Sequence, residues 1–390
     1  MNRVVIDLRA MKHNIEVVDR WMTSHGASWT LVTKCLCGHA ETMRGIQLLG
    51  VRSIGDSRLE NLTSLERVDP DFEIWYLRLP HLAAIPDIVR LSDVTLNSEM
   101  EVIEAISAEA QRQGKTHRII VMIELGDLRE GILPGSLTRF YDHVFNLPHI
   151  EVLGIGANLG CLSGAVPNVD QLMQLVLYRE LLELKFKRPM PMISAGSSAV
   201  LPLLLQGSLP QPVNHFRIGE AVFLGSDLVH GGNLQGLRDD AIFLEADVVE
   251  IKEKNLIALG ESTAHTPFEP IEQQTGDLEP GQRGYRAVIS VGQLDTEVGG
   301  LIPLNPLHRI AGASSDLTVV NVGDNPAGLT VGDSIKFRLN YAALVRAMSS
   351  RYIEKMLAPS LESFQASVST DARDLVPAVI DQAGTTQRTI

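Results

Sequence analysis

Between residues 29 and 218 the chain alternates short β-forming runs with helical patterns about eight times over. The runs fall at 29–33, 52–55, 73–79, 93–96, 118–125, 150–157, 191–194 and 214–218. The intervening segments carry apolar residues at helical spacing, the longest over 169–186. Strands alternating with helices imply parallel pairing and right-handed crossovers. Eight units in roughly 220 residues predict a closed (β/α)₈ TIM barrel. A doubly wound sheet is the rival. It favours fewer units and a glycine-rich phosphate turn after its first strand, which this chain lacks. Gly154-Ile155-Gly156-Ala157-Asn158-Leu159-Gly160 matches a dinucleotide fingerprint only loosely and comes late in the chain.

Before the rhythm come a strand at 4–7 and a helix over 8–25, with Leu8, Met11, Ile15, Val18 and Met22 on one face and Gly26 as its stop. After Gly225 the texture changes. A glycine-rich connector reaches Asp240, and β-type alternation replaces the helical pattern at 242–253, 285–291, 317–322 and 334–339. The expected organisation is a barrel over 8–228 and an all-β domain over 241–356 that also takes the N-terminal strand 3–7. The polar stretch 260–284 is expected to be a long loop. A peripheral, partly disordered extension is expected over 357–390, where apolar residues thin out.

A net charge of −13 argues against nucleic acid as a partner. No apolar run approaches the ~20 residues of a membrane helix, and residues 1–14 do not read as a signal peptide. Three cysteines make no disulfide framework, so a reducing, cytoplasmic setting is expected. Cys35, Cys37 and His39 lack a fourth neighbour to complete a zinc site, and no metal is expected.

In such a barrel the active site gathers at the C-terminal strand ends. Those ends offer Lys34, Arg129, Asn158, the run Ser194-Ala195-Gly196-Ser197-Ser198, and Arg217-Ile218-Gly219-Glu220. A lysine ending a buried strand either snorkels to water or loses its charge, for instance as a Schiff base. Gly196, Ser197 and Ser198 at a helix start suit a phosphate, or else are a plain N-cap. Lysine, phosphate cradle and strand-end arginine together point to pyridoxal 5′-phosphate.

The chain resembles the alanine racemase family of fold-type III pyridoxal phosphate enzymes, most closely its ornithine racemase-like subgroup. The resemblance spans about residues 3–356. It rests on Val32-Thr33-Lys34-Cys35-Leu36-Cys37-Gly38, Leu125-Gly126-Asp127-Leu128-Arg129-Glu130-Gly131, Arg217-Ile218-Gly219-Glu220-Ala221 and Asn340-Tyr341-Ala342. It implies that Lys34 carries the cofactor as a Schiff base and acts as one acid/base. Arg217 would face the pyridine nitrogen. Ser198, with Ser197 and the backbone N–H groups of Gly219 and Glu220, would hold the phosphate, joined by the Tyr341 hydroxyl. Arg129 would orient the cofactor phenolate and substrate carboxylate. Asn158 stands where the family has a ring-packing histidine, and Cys37-Gly38 where it has a tyrosine. Gln293 stands in place of the family's second catalytic tyrosine, and it cannot act as a base at neutral pH.

The implied activity is a racemase for a basic amino acid such as ornithine or lysine, with Asp127, Glu130, Asp295 or Asp316 receiving the side-chain amine. The rivals are a D-amino-acid aldolase, a decarboxylase or a non-catalytic pyridoxal phosphate protein. The second domain argues against the last of these. The resemblance also implies a homodimer in which Gln293 and Asp316 reach the partner's site. For the missing base the candidates are the thiols Cys37 and Cys161, Asp316, and a tyrosine or relayed water.

Overall fold

The computed structural model describes residues 2–160, 162, 164–256, 268, 279 and 281–374, with side chains as far as residue 367. Strand β1 (Arg3–Asp7) comes first and passes without a loop into the helix Leu8–His25. The junction is Asp7, whose Oδ1 accepts from the N–H groups of Arg9 and Ala10 and so caps the helix. The helix ends at Gly26, whose φ of +73° closes it with N–H bonds to Met22 and Thr23.

Eight parallel strands follow: β2 (Ser28–Val32), β3 (Ser53–Asp56), β4 (Glu73–Tyr76), β5 (Val94–Asn97), β6 (His117–Met122), β7 (Ile150–Gly156), β8 (Met192–Gly196) and β9 (His215–Ile218). Each pairs with the next, and β9 pairs back onto β2, so the sheet is a closed barrel. Successive residues of a strand face opposite sides. On β6, Ile119 and Val121 join the main core, while Ile120 and Met122 join a separate cluster with Trp75, Val94 and Leu96.

The second sheet contains β10 (Ile242–Asn255), β11 (Arg283–Ile289), β12 (Leu301–Pro303), β13 (Arg309–Ala313), β14 (Thr318–Asn321), β15 (Ser334–Leu339) and β16 (Glu354–Ala358). Its path runs β12-β15-β10-β11-β14-β13. Strand β1 lies antiparallel to β10 and parallel to β16, so the N-terminal strand belongs to this sheet. A register shift between Val248 and Glu250 lets the long β10 serve β15 and β1 with one half and β11 with the other.

Three features depart from the sequence reading. The second unit is not purely β: the helix Tyr341–Ser349 lies inside it, capped by Asn340, whose Oδ1 accepts from the Ala343 N–H at 2.9 Å. Strands β12 and β13 are too short and irregular to show alternation. Residues 357–374 are not a loose extension, because β16 runs to Ala358, the helix Leu361–Asp374 follows, and Phe364 is buried in the main core. The remainder, 375–390, lies outside the described residues, as does most of the 260–284 stretch. Among the described residues no helix is long and apolar enough to cross a membrane.

Candidate active site

A cavity of about 450 Å³ opens at the C-terminal end of the barrel. Lys34, Arg129, Asn158, Ser197, Ser198, Arg217, Gly219, Glu220 and Tyr341 all line it. Eight of these come from five strand ends of the barrel, and Tyr341 comes from the second unit.

Strand β2 stops at Val32, and Lys34 opens a 3₁₀ turn, Lys34–Leu36. Its side chain is exposed at the cavity, so the ammonium keeps water and snorkels as the simpler reading held. The turn continues through Cys37 and Gly38, both left-handed at φ +52° and +65°. Gly38 is required there, because a Cβ would sit 2.8 Å from Asn61 Oδ1 and 3.1 Å from Asn61 Cα. Asp56, at the end of β3, braces this turn from below. Its Oδ1 accepts from the N–H groups of Ser57 and Arg58 and from Asn61 Nδ2, and its Oδ2 accepts from Thr33 Oγ1 at 3.2 Å. Burial pushes the Asp56 pKa up, and these donors pull the other way.

Arg217 is nearly buried and thoroughly held. Nη1 donates to Ser194 O at 2.7 Å and to the Ser194 hydroxyl. Nη2 donates to Ala157 O at 3.0 Å and Asn158 Oδ1 at 2.7 Å. Behind it sits His215, two residues earlier on β9 and therefore on the same face. Its Nδ1 lies 2.8 Å from Ser194 Oγ, its Nε2 lies 3.1 Å from Thr30 Oγ1, and its ring stacks on Trp75 at 4.4 Å. Sequence reasoning missed Ser194 and His215 as the supports of Arg217. The period-2 spacing of His215 and Arg217 was the available signal.

Burial, helped by Arg217, pushes the His215 pKa down to about 3, and burial does the same to His117. Both are neutral in the fold, whereas an unfolded histidine titrates near ~6.5. As pH falls below that value the unfolded chain takes the protons first, so stability is full above it and declines toward pH 3. The expected loss is about 1.4 kcal/mol per pH unit for each histidine. Urea midpoints at pH 7 and pH 5.5 should therefore differ, and His215→Gln should shrink the difference. Equal midpoints in the unaltered protein would contradict it.

At the phosphate-like end, Ser198 Oγ accepts from the Ala221 N–H at 3.2 Å, tying the loop after β8 to the short helix Glu220–Leu224. Ser197 Oγ accepts from the Ala199 N–H at 3.2 Å, so Ser197 also serves as the N-cap of its own turn. Burial raises the Glu220 pKa, opposed by Lys34. Tyr341 is set by Asn340, whose N–H donates to Gly300 O at 2.9 Å. Its ring centroid lies 6.0 Å from Lys34 Nζ, and burial raises the phenol pKa, so it stays a neutral donor.

Of the three residues offered as acid/base groups, Cys37 and Asp316 are described, and neither lines this cavity. Cys37 does not line the cavity. Its Sγ lies 3.9 Å from Val345 O on the helix Tyr341–Ser349, and burial raises its pKa. Asp316 is exposed in the turn between β13 and β14 and does not line this cavity. Cys161 lies outside the described residues. Of the carboxylates offered to a substrate amine, Asp127 and Asp295 accept backbone N–H groups, from Leu162 and Gly292. Glu130 is held by Arg129 and Asn158.

The barrel, with the last two residues of the N-terminal strand, matches one family model. Residues 6–227 match the alanine racemase N-terminal domain. The chain belongs to the alanine racemase family. It is 32% identical to an ornithine racemase from Acetoanaerobium sticklandii, over 91% of this chain and 99% of that protein. It is 28% identical to a lysine racemase from Thermotoga maritima, over 92% of this chain and 99% of that protein. The fold matches the alanine racemase of Bartonella henselae, whose structure carries covalently bound pyridoxal phosphate. That match has a TM-score of 0.67 at 16% identity and covers 91% of this chain and 99% of that one. Lys34 follows the end of the first barrel strand, β2.

Proposed function

We propose that this alanine racemase family member is a pyridoxal 5′-phosphate-dependent racemase of a basic amino acid, ornithine or lysine. The observation that carries the reading is the cavity itself, where the Lys34 amine, the Arg217 guanidinium and the Ser198 and Tyr341 hydroxyls converge. The basic substrate rests on the two relatives, an ornithine and a lysine racemase.

The donor set fits the cofactor. Lys34 offers an amine for an aldehyde carbon. Ser198, Tyr341 and the N–H groups of Gly219 and Glu220 offer donors to a phosphate. Arg217 would face the ring nitrogen. Bound there, the cofactor supplies a conjugated ring that takes up the electron pair left when the α-proton departs. Lys34 Nζ would carry that proton on one face of the α-carbon. Arg217 only donates and keeps its own proton, so it would leave the ring nitrogen unprotonated. That moderates the ring as an electron sink and favours simple return of the proton. Arg129 would orient the substrate carboxylate.

A proton carrier is needed on the opposite face. Cys37 is turned away and Cys161 lies outside the described residues; of the candidates we take Asp316, delivered by a second subunit. We therefore read the molecule as a cytoplasmic homodimer with shared sites. Neither Lys34→Ala nor Asp316→Ala protein should racemise alone, and proven heterodimers of the two should regain up to about a quarter to a half of native turnover, since one composite site is intact. Heterodimers without activity would count against shared sites.

The function itself is tested by incubating purified protein with L-ornithine, L-lysine and L-alanine in deuterated water. The D-enantiomer of a basic substrate should form with deuterium at the α-carbon and no loss of carbon. Release of carbon dioxide or of an aldehyde fragment would favour the decarboxylase or aldolase. Absence of exchange across the panel would defeat the reading.

A further inference from the structure

We infer that Glu130 is the positioning residue for both arginines of the cavity: it holds Arg129 directly and Arg217 through Asn158. Glu130 lies in the loop after β6, yet its side chain is only 10% exposed. Arg129 Nη2 donates to its Oε1 at 2.7 Å and Arg129 Nε donates to its Oε2, which is the two-pronged geometry of a strong guanidinium–carboxylate pair. Asn158 Nδ2 donates to the same Oε1, and Asn158 Oδ1 accepts from Arg217 Nη2 at 2.7 Å.

The two ends of an amide are not equivalent, because its oxygen only accepts and its nitrogen only donates. An anion on one side of Asn158 and a guanidinium on the other permit a single orientation. The charge on Glu130 therefore fixes the amide, and the amide fixes one edge of Arg217. The loop is built to present this carboxylate. Glu124 gathers the N–H groups of Gly126, Leu128 and Arg129. Gly131, at φ +134°, lets the chain press against the Ile123–Glu124 backbone, where a Cβ would come within 2.3 Å of Glu124 N. Glu130 thus sets its carboxylate directly against Arg129, one of three basic residues lining the cavity.

The test uses Glu130→Gln, which keeps the shape and removes the charge. A glutamine cannot accept two arginine donors and the Asn158 amide as a carboxylate does. In the apoprotein labelled with ¹⁵N-arginine, two guanidinium signals should move, those of Arg129 and Arg217, assigned with R129K and R217K. In an Asn158→Ala background the same substitution should move only the Arg129 signal. The inference is overturned if Glu130→Gln moves Arg129 alone in the unaltered background. It is equally overturned if the Arg217 signal moves as much without Asn158 as with it.

A second arm rests on the cofactor reading above. In protein loaded with pyridoxal 5′-phosphate, Glu130→Gln should shift the visible absorption band and lower kcat/KM about 10- to 100-fold, the usual range for a residue supporting a site. Glu130→Asp, which keeps the charge, should recover part of the loss. Moved arginine signals beside an unmoved band would uphold the linkage and fault the cofactor reading instead.

Discussion

Replacing Lys34 by alanine is expected to abolish turnover while leaving the protein folded. Lys34 sits in an exposed position on a 3₁₀ turn that Asp56 and Gly38 hold without its side chain. Its loss should change stability by no more than about 0.5 kcal/mol, as for surface positions generally. Activity is another matter. In the proposed reading the amine both anchors the cofactor and carries the α-proton, and removing a positioned acid/base group alone costs about 10²–10⁴ in rate. Chirality assays on protein loaded with pyridoxal 5′-phosphate should show turnover down by at least about 10³. The visible band of the bound cofactor should vanish, and the melting curve should stay in place. Full turnover in this variant would sink the cofactor assignment, and a large fall in melting temperature would show that the turn depends on the side chain after all.

Arg217→Glu is expected to do the reverse and strike stability first. The guanidinium donates to four acceptors, Ser194 O, the Ser194 hydroxyl, Ala157 O and Asn158 Oδ1. A carboxylate at that place adds another acceptor and strands the two carbonyls and the amide oxygen. At a position only 7% exposed, an uncompensated charge of this kind costs about 3–5 kcal/mol. Taking up a proton eases the charge but supplies one donor where several are needed. Arg217→Lys keeps the charge without the planar fork, so it should lose less. Urea midpoints should fall in the order native, lysine variant, glutamate variant, with racemase activity falling in the same order. A glutamate variant as stable as the native protein would contradict this account of the guanidinium.

The barrel was legible because its signal is repeated: each strand–helix unit restates the same periodicity, so a misplaced boundary changes little. Strand ends slipped by one to three residues, yet the mouth of the barrel still gathered Lys34, Arg129, Asn158, the serines and Arg217 in one cavity, because topology alone sends strand ends there. The supports behind them were not legible. His215 bonds to Thr30 on the neighbouring strand β2, and Glu130 meets Asn158 from another loop. Such pairings depend on side-chain directions in loops and across strands, which no local period encodes. The solvation of Lys34 was left open for a related reason: one residue of strand length decides whether a side chain ends inside the wall or beyond it. The helix Tyr341–Ser349 was hidden by its β-rich neighbourhood, although Asn340 carried the capping signal.

The pairing of β1 with both β10 and β16 bears on the order in which the molecule is assembled. Residues 3–7 are synthesised before the barrel, but their neighbours in the sheet, Ile242–Glu245 and Glu354–Ala358, follow only after the whole barrel has been made. The barrel can close while its sheet partner is still incomplete, since its own pairings lie within one continuous stretch. During that interval β1 is an unmatched edge attached to a folded body, the kind of edge that recruits foreign strands. Tyr341 also arrives late, so the cavity lacks its hydroxyl until the sheet forms. A nascent chain should therefore complete this cavity only after the second sheet has been made, with β1 waiting longest of the described strands for its partners.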